Sequence, residues 1–202
     1  IIALDANGNS LYRTRTPTPK HPDHAAQYQL IIEAITKLVE TCEHQLDVHG
    51  SPLGIGIPGS EASATGLIKN ANTTCLIGKP FRHDLSTALN RDVAIENDAN
   101  RFALSEAVDG GGQHHNSVFA VILGTGVGGG WVINQRLIIG PNHICGEWGH
   151  NPLPWPTPHD EPKQKCYCGK HGCIETYLSG PGMAEQSHLQ LGLTLNSHEI
   201  IA

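Results

Sequence analysis

The chain has 202 residues, a formal net charge of −6 and 39% hydrophobic residues, with only 3 Phe, 3 Trp and 1 Met. That length allows one large or two small domains, with a core of Ile, Leu, Val and Ala. The acidic balance offers no basic face for nucleic acid, and no apolar run spans a bilayer or reads as a signal peptide, so the expectation is a soluble cytoplasmic protein without nucleic-acid or membrane partners.

Residues 1–4 and 11–16 read as two short strands, and Asn7-Gly8 between them is a hairpin signal. From 23 to 46, Leu30, Ile31, Ala34, Ile35, Leu38, Val39 and Cys42 recur at three and four, which predicts an amphipathic helix. Residues 53–57 form a buried-strand run that stops at Pro58-Gly59. Asp84 is placed to cap a short helix ending at Leu89, and 93–96 is a further strand. Asn97-Asp98 then opens a helix through Val108.

Asp109-Gly110-Gly111-Gly112 is the linker candidate and divides the chain into domains 1–109 and 110–202. After it, 118–123 is an apolar strand. Residues 131–133 and 137–139 are strands turning at Asn134-Gln135, and 152–162 is a proline-rich loop. Strands mixed with helices give an α/β class. The chain starts inside a strand and stops inside an apolar helical segment, so both ends read as cut.

Three thiols, Cys166, Cys168 and Cys173, crowd into the sequence Cys-Tyr-Cys-Gly-Lys-His-Gly-Cys. Zinc takes Cys and His ligands tetrahedrally, and a structural site is closed by four of them. The other cysteines are scattered, which fits a metal better than a disulfide framework. His150, His159, His171 and Cys145 all compete for the fourth position. No carboxylate base is paired with an open metal position, so the reading is a structural metal. Glu147 and Glu175 flank the ligands, and carboxylates suit carbohydrate hydroxyls as strong acceptors.

Two further stretches carry chemistry. Gly124-Thr125-Gly126 leaves an apolar strand, and its amides can form a nest for phosphate. It has no Walker lysine, and the alternative is a tight hairpin turn. In Asn97-Asp98-Ala99-Asn100, Asp98 is either a helix cap or a general base that accepts a hydroxyl proton during phosphoryl transfer.

These pieces, in this order, resemble the ROK family of sugar kinases and regulators. The carriers are Gly54-Ile55-Gly56-Ile57-Pro58-Gly59, Glu96-Asn97-Asp98-Ala99-Asn100, Gly124-Thr125-Gly126-Val127-Gly128-Gly129-Gly130, Gly146-Glu147-Trp148-Gly149-His150 and the Cys166 to Glu175 motif. Within the family the chain is similar to bacterial manno-fructokinases through Val108-Asp109-Gly110, Gly146-Glu147-Trp148-Gly149-His150-Asn151-Pro152-Leu153-Pro154-Trp155 and Cys166-Tyr167-Cys168-Gly169-Lys170.

The resemblance implies an actin-like (ribonuclease H-like), two-domain sugar kinase fold, truncated at both ends. It implies ATP-dependent phosphorylation of a hexose, fructose to fructose 6-phosphate foremost, with Mg2+ as a further cofactor. The alternatives are mannose, glucose or N-acetylglucosamine as substrate, or a sugar-responsive regulator domain. By the same resemblance Asp98 is the base, and Asn72, Asn97, Glu147, His150 and Glu175 contact the sugar. Gly124, Thr125 and Gly126 hold phosphate, and His150, Cys166, Cys168 and Cys173 bind zinc. A homodimer is expected from the family. The family's opening phosphate loop and closing nucleotide-binding segment lie outside these residues, so the chain alone is expected to show little kinase activity.

Overall fold

The computed structural model describes residues 1–201. Two compact units divide the chain, Ile1–Asp98 and Ala99–Ala202.

The first unit opens with the antiparallel hairpin β1 (Ile2–Leu4) and β2 (Ser10–Arg13). In the turn, Asp5 accepts hydrogen bonds from the amides of Asn7 and Asn9 at 2.8 Å each. Helix α1 (His24–Leu46) begins where the Asp23 carboxylate accepts the Ala26 amide at 2.8 Å. Its predicted stripe is real in part, since Ile31, Val39 and Cys42 are buried, together with Tyr28 and Ile32.

Strands β3 (Leu53–Ile57) and β6 (Val93–Asn97) pair in parallel, with Ile55 opposite Ile95 and Ile57 opposite Asn97. Between them lie the small hairpin β4 (Ser60–Glu61) and β5 (Ile68–Lys69), a 3-10 turn at Thr74–Leu76, and helix α2 (Phe81–Leu89). One hydrophobic core joins them: Tyr28, Ile31 and Ile32 from α1, Ile57, Ile68, Leu76, Phe81, Leu85 and Val93. Phe81 and Leu85 are 1% and 0% exposed, so their side chains are withdrawn from water entirely. Each such side chain contributes roughly 1.5–3 kcal/mol of burial.

Asp84 does not cap α2. The cap position is Pro80, and Asp84 sits inside the first turn. Its carboxylate is taken by α1 instead, through the Tyr28 hydroxyl at 2.6 Å. That bond holds Asp84 below the usual carboxylate range. Arg91 makes a second tie, to Glu43 at 2.6 Å and to the Ser51 carbonyl at 3.0 Å.

Helix α3 (Asp98–Val108) starts at the division between the units, ahead of the glycine linker that the sequence suggests at 109–112. Packing explains the shift. Past Asp98 the helix presents Ala103 and Ala107 to Ala120 and Val132, so its body belongs to the second core.

That core lies against a three-stranded antiparallel sheet of β7 (Ser117–Leu123), β8 (Val127–Ile133) and β9 (Arg136–Leu137). Asn134 and Gln135 both have positive φ, 49° and 59°, as the predicted β8–β9 turn requires. Strand β8 is longer than the sequence suggests, because Gly128, Gly129 and Gly130 are strand residues. Helices α4 (Glu175–Leu178), α5 (Gly180–Leu191) and α6 (Ser197–Ile201) complete the described residues. No described helix is long and apolar enough to cross a membrane.

Candidate metal centre

The second unit builds its site on β8, and glycine is what permits it. A Cβ on Gly130 would lie 2.7 Å from the Ala103 Cβ and 2.8 Å from the Ala99 carbonyl oxygen, so α3 sits directly on the strand. A Cβ on Gly129 would lie 2.9 Å from the Gly146 carbonyl and 3.0 Å from the Trp148 ring. Backbone therefore approaches β8 where side chains would normally stand. The 146–149 turn is tied to the strand by Trp148, whose indole N–H donates to the Gly128 carbonyl at 3.0 Å.

From that turn the chain runs into a short stitched segment. Asn151 accepts the Ile174 amide, Gly149 accepts the Glu175 amide (both 2.9 Å), and the Leu153 amide donates to Gly172 at 3.0 Å. These bonds carry His150 alongside Cys173. The thiol loop closes on itself: the Cys166 amide donates to the Lys170 carbonyl at 2.8 Å, and Gly169, with φ of 90°, donates to Cys166 at 3.0 Å.

The result is one cluster. His150, Cys166, Cys168 and Cys173 each offer a donor atom, and all four atoms lie within 4.8 Å of one another. His150 Nδ1 is 3.4 Å from Cys166 Sγ, and Cys168 Sγ is 3.6 Å from Cys173 Sγ. A tetrahedral zinc with Zn–S ~2.3 Å and Zn–N ~2.0 Å would set donor separations of about 3.5–3.8 Å. Those two pairs stand close to that spacing and the rest lie within 4.8 Å, so three thiols and an imidazole form a donor set that fits such an ion. Of the four candidates for the last position, only His150 is in the cluster; His159, His171 and Cys145 are not. Burial pushes the Cys173 thiol up to about 12, whereas the Lys170 amide draws the exposed Cys168 down. A buried thiol held that high needs a bound cation to become a thiolate at neutral pH.

Glu175 sits beside the cluster at the start of α4 and is itself buried. Its Oε2 accepts the Val127 amide at 3.0 Å, so the carboxylate links the thiol loop to the β7–β8 turn. In that turn Gly124 donates to the Gly126 carbonyl at 2.9 Å and accepts the Gly180 amide at 2.7 Å, while Thr125 is exposed. Of the glycines there, only Gly126 is crowded, by Glu175 Oε2 at 2.9 Å from a built Cβ.

The remaining sequence-predicted residues are placed as follows. Glu147 is exposed on the turn before His150. Asn72 is exposed in the loop after β5, and Asn97 ends β6 with its amide donating to the Gly59 carbonyl at 3.1 Å. Asp98 is the exposed first residue of α3. Asn72, Asn97 and Asp98 belong to the first unit; the metal cluster, Glu147, Glu175 and residues 124–126 belong to the second.

One contact at the site comes from a residue to which the motif assigns no role of its own. The Tyr167 hydroxyl lies 3.1 Å from His150 Nε2, with the two rings edge to face. Only its position between two ligand cysteines could have flagged it.

The family model described as "ROK family" matches residues 1–202. The chain is 42% identical over 203 residues to N-acetyl-D-glucosamine kinase of Salmonella typhimurium, covering 98% of this chain and 65% of that protein. It thus spans just under two thirds of the curated relatives it matches. Among solved structures, the ROK hexokinase from Thermus thermophilus superposes with a TM-score of 0.77 at 30% identity, over 95% of this chain and 60% of that one. A ROK family glucokinase from Streptomyces griseus, in complex with glucose and AMPPNP, gives 0.66 at 28%, over 90% and 54%. The fold class is accordingly α/β, of the actin-like sugar kinase type.

Proposed function

We propose a function from one premise: the chain belongs to the ROK family. The reading is ATP-dependent phosphorylation of a hexose. The observation that carries it is Glu175, a buried carboxylate set between a four-donor cluster and the Val127 amide at the start of β8. A buried carboxylate is a strong acceptor for a sugar hydroxyl, and the metal cluster is what fixes it.

In this reading zinc is structural and is held by His150, Cys166, Cys168 and Cys173. It preorganises the sugar contacts Glu147, His150 and Glu175 of the second unit; in the first unit, Asn72 and Asn97 carry sugar-contact roles by the family resemblance. Asp98 accepts the proton of the attacking hydroxyl as the new O–P bond forms and the bond to the departing ADP oxygen breaks. Gly124, Thr125 and Gly126 meet the phosphates. Magnesium, when bound with ATP, neutralises charge on the transferring phosphoryl group.

Fructose is the proposed hexose, on the resemblance of Val108-Asp109-Gly110 and of the stretches Gly146 to Trp155 and Cys166 to Lys170 to manno-fructokinases. N-acetyl-D-glucosamine is the second reading, supported by the 42% identity to kinases of that name. A coupled ADP-release assay with both sugars decides between them, run on this chain and on any longer polypeptide that contains it. Asp98→Asn is expected to lower kcat by about 10²–10⁴-fold with a much smaller change in KM. Near-normal turnover in that variant removes Asp98 from the mechanism.

A further inference from the structure

Tyr167 stands between two ligand cysteines, and its hydroxyl reaches the one ring nitrogen of His150 that faces away from them. We infer that Tyr167 is a positioning residue for the metal centre in the sugar-free protein: it accepts the Nε2 proton of His150, the donor that a bound sugar hydroxyl takes over, and thereby commits Nδ1 to the metal. The inference rests on the metal reading proposed above and not on the identity of the hexose.

The argument is one of tautomers. A metal takes a lone pair, so the ligating nitrogen of a neutral imidazole carries no proton and the other nitrogen must. His150 Nδ1 faces Cys166 Sγ at 3.4 Å, which makes Nε2 the protonated atom. The Tyr167 oxygen, 3.1 Å from Nε2, is the acceptor that this tautomer needs. A phenol can accept and donate at once. In this tautomer the bond runs from Nε2–H to the tyrosine oxygen. Metal-bound histidines are commonly oriented by such an outer partner.

Water could satisfy a half-buried imidazole equally well, so the placement of the tyrosine matters. Tyr167 is 80% exposed, and its ring meets His150 edge to face with centroids 5.1 Å apart. Little else packs on it. What holds it is the backbone: Cys166 and Cys168 on either side point into the cluster, and the loop is closed by the Lys170 and Gly169 bonds. With the main chain fixed, only two side-chain torsions remain to be ordered.

The test uses Zn2+ alone, competed against a chromophoric chelator, on the wild-type chain and on Tyr167→Phe. Phenylalanine keeps the ring and removes only the hydroxyl, and circular dichroism checks that the fold is retained. Zinc affinity is expected to fall by about tenfold or more. In the zinc-loaded wild type, long-range proton–nitrogen correlation should show His150 protonated at Nε2, and that proton should exchange faster in Tyr167→Phe. A variant that binds zinc within about twofold of wild type and keeps the same Nε2 exchange rate overturns the inference. A wild-type chain that takes up no zinc overturns the metal reading, and this inference with it. A chain that phosphorylates no hexose, yet loses zinc affinity in Tyr167→Phe, leaves the inference standing and removes the kinase reading alone.

Discussion

The two units are held together by different physics. The first has a broad apolar core in which α1, α2 and the β3–β6 pair share large side chains such as Phe81, Ile68 and Leu85. The second has a narrow core of Ala103, Ala107, Ala120 and Val132, and the outer face of its sheet leaves Phe119, Leu123 and Trp131 about half exposed. What the second unit lacks in apolar burial it replaces with close backbone approach at β8 and with a four-donor cluster. A site that must hold side-chain geometry is better served by ligands and hydrogen bonds, which are directional, than by hydrophobic contact, which is not.

That contrast can be broken at several points. The largest effect should follow Cys173→Ser, which removes a buried ligand from the cluster. Structural zinc supplies about 10–16 kcal/mol of apparent binding energy in small zinc domains, so even a fraction of it dominates the local ledger. Zinc content should fall to near zero. Hydrogen exchange should quicken across 149–175, while the amides of α1 and β3 keep their protection. Phe81→Ala should do the reverse, costing the first unit about 3–5 kcal/mol in denaturant unfolding while zinc affinity is unchanged. Gly130→Ala comes next, since its methyl group would meet Ala103 and the Ala99 carbonyl. Separation of α3 from β8 should cost about 1–3 kcal/mol by thermal unfolding.

The smallest effect is a titration. Asp84 has a folded pKa held below its ordinary value, first by the Tyr28 hydroxyl. A depressed carboxylate pKa adds stability that is present above the unfolded value, ~3.9, and is lost as pH falls through the folded one. Asp84 is 35% exposed at its side chain, so solvent screening limits the gain. Asp84→Asn should therefore cost only about 0.5–1 kcal/mol at neutral pH. The gap between variant and wild type should close below the ordinary Asp range, as read by urea unfolding across pH.

Sequence periodicity and turn chemistry were enough to place most elements. The apolar recurrence from Leu30 to Cys42 marked α1, and Asn7-Gly8 and Asn134-Gln135 marked their turns. These are local signals, set by side-chain period and by backbone conformations that few residues adopt. The misreadings came where distant residues intervene. Asp84 looks like a cap because caps are local, but Tyr28, far away in the chain, claims its carboxylate. Gly128 to Gly130 look like loop because glycine is rare in strands. They are strand because α3 and the 146–149 turn press on both faces.

The same divide runs through the site. Spacing alone named Cys166, Cys168 and Cys173 as a metal cluster, since three thiols so close in sequence cannot avoid one another in space. The fourth donor stayed open among His150, His159, His171 and Cys145 until the hydrogen bonds of 149–153 with 172–175 carried His150 to the cluster. The sequence by itself determined the chemistry available to this protein: thiols, an imidazole, flanking carboxylates and a glycine-rich turn. Only the tertiary structure decided which of those groups meet, and that Tyr167 stands at the back of His150. Such contacts depend on backbone pairing between segments that no local propensity encodes.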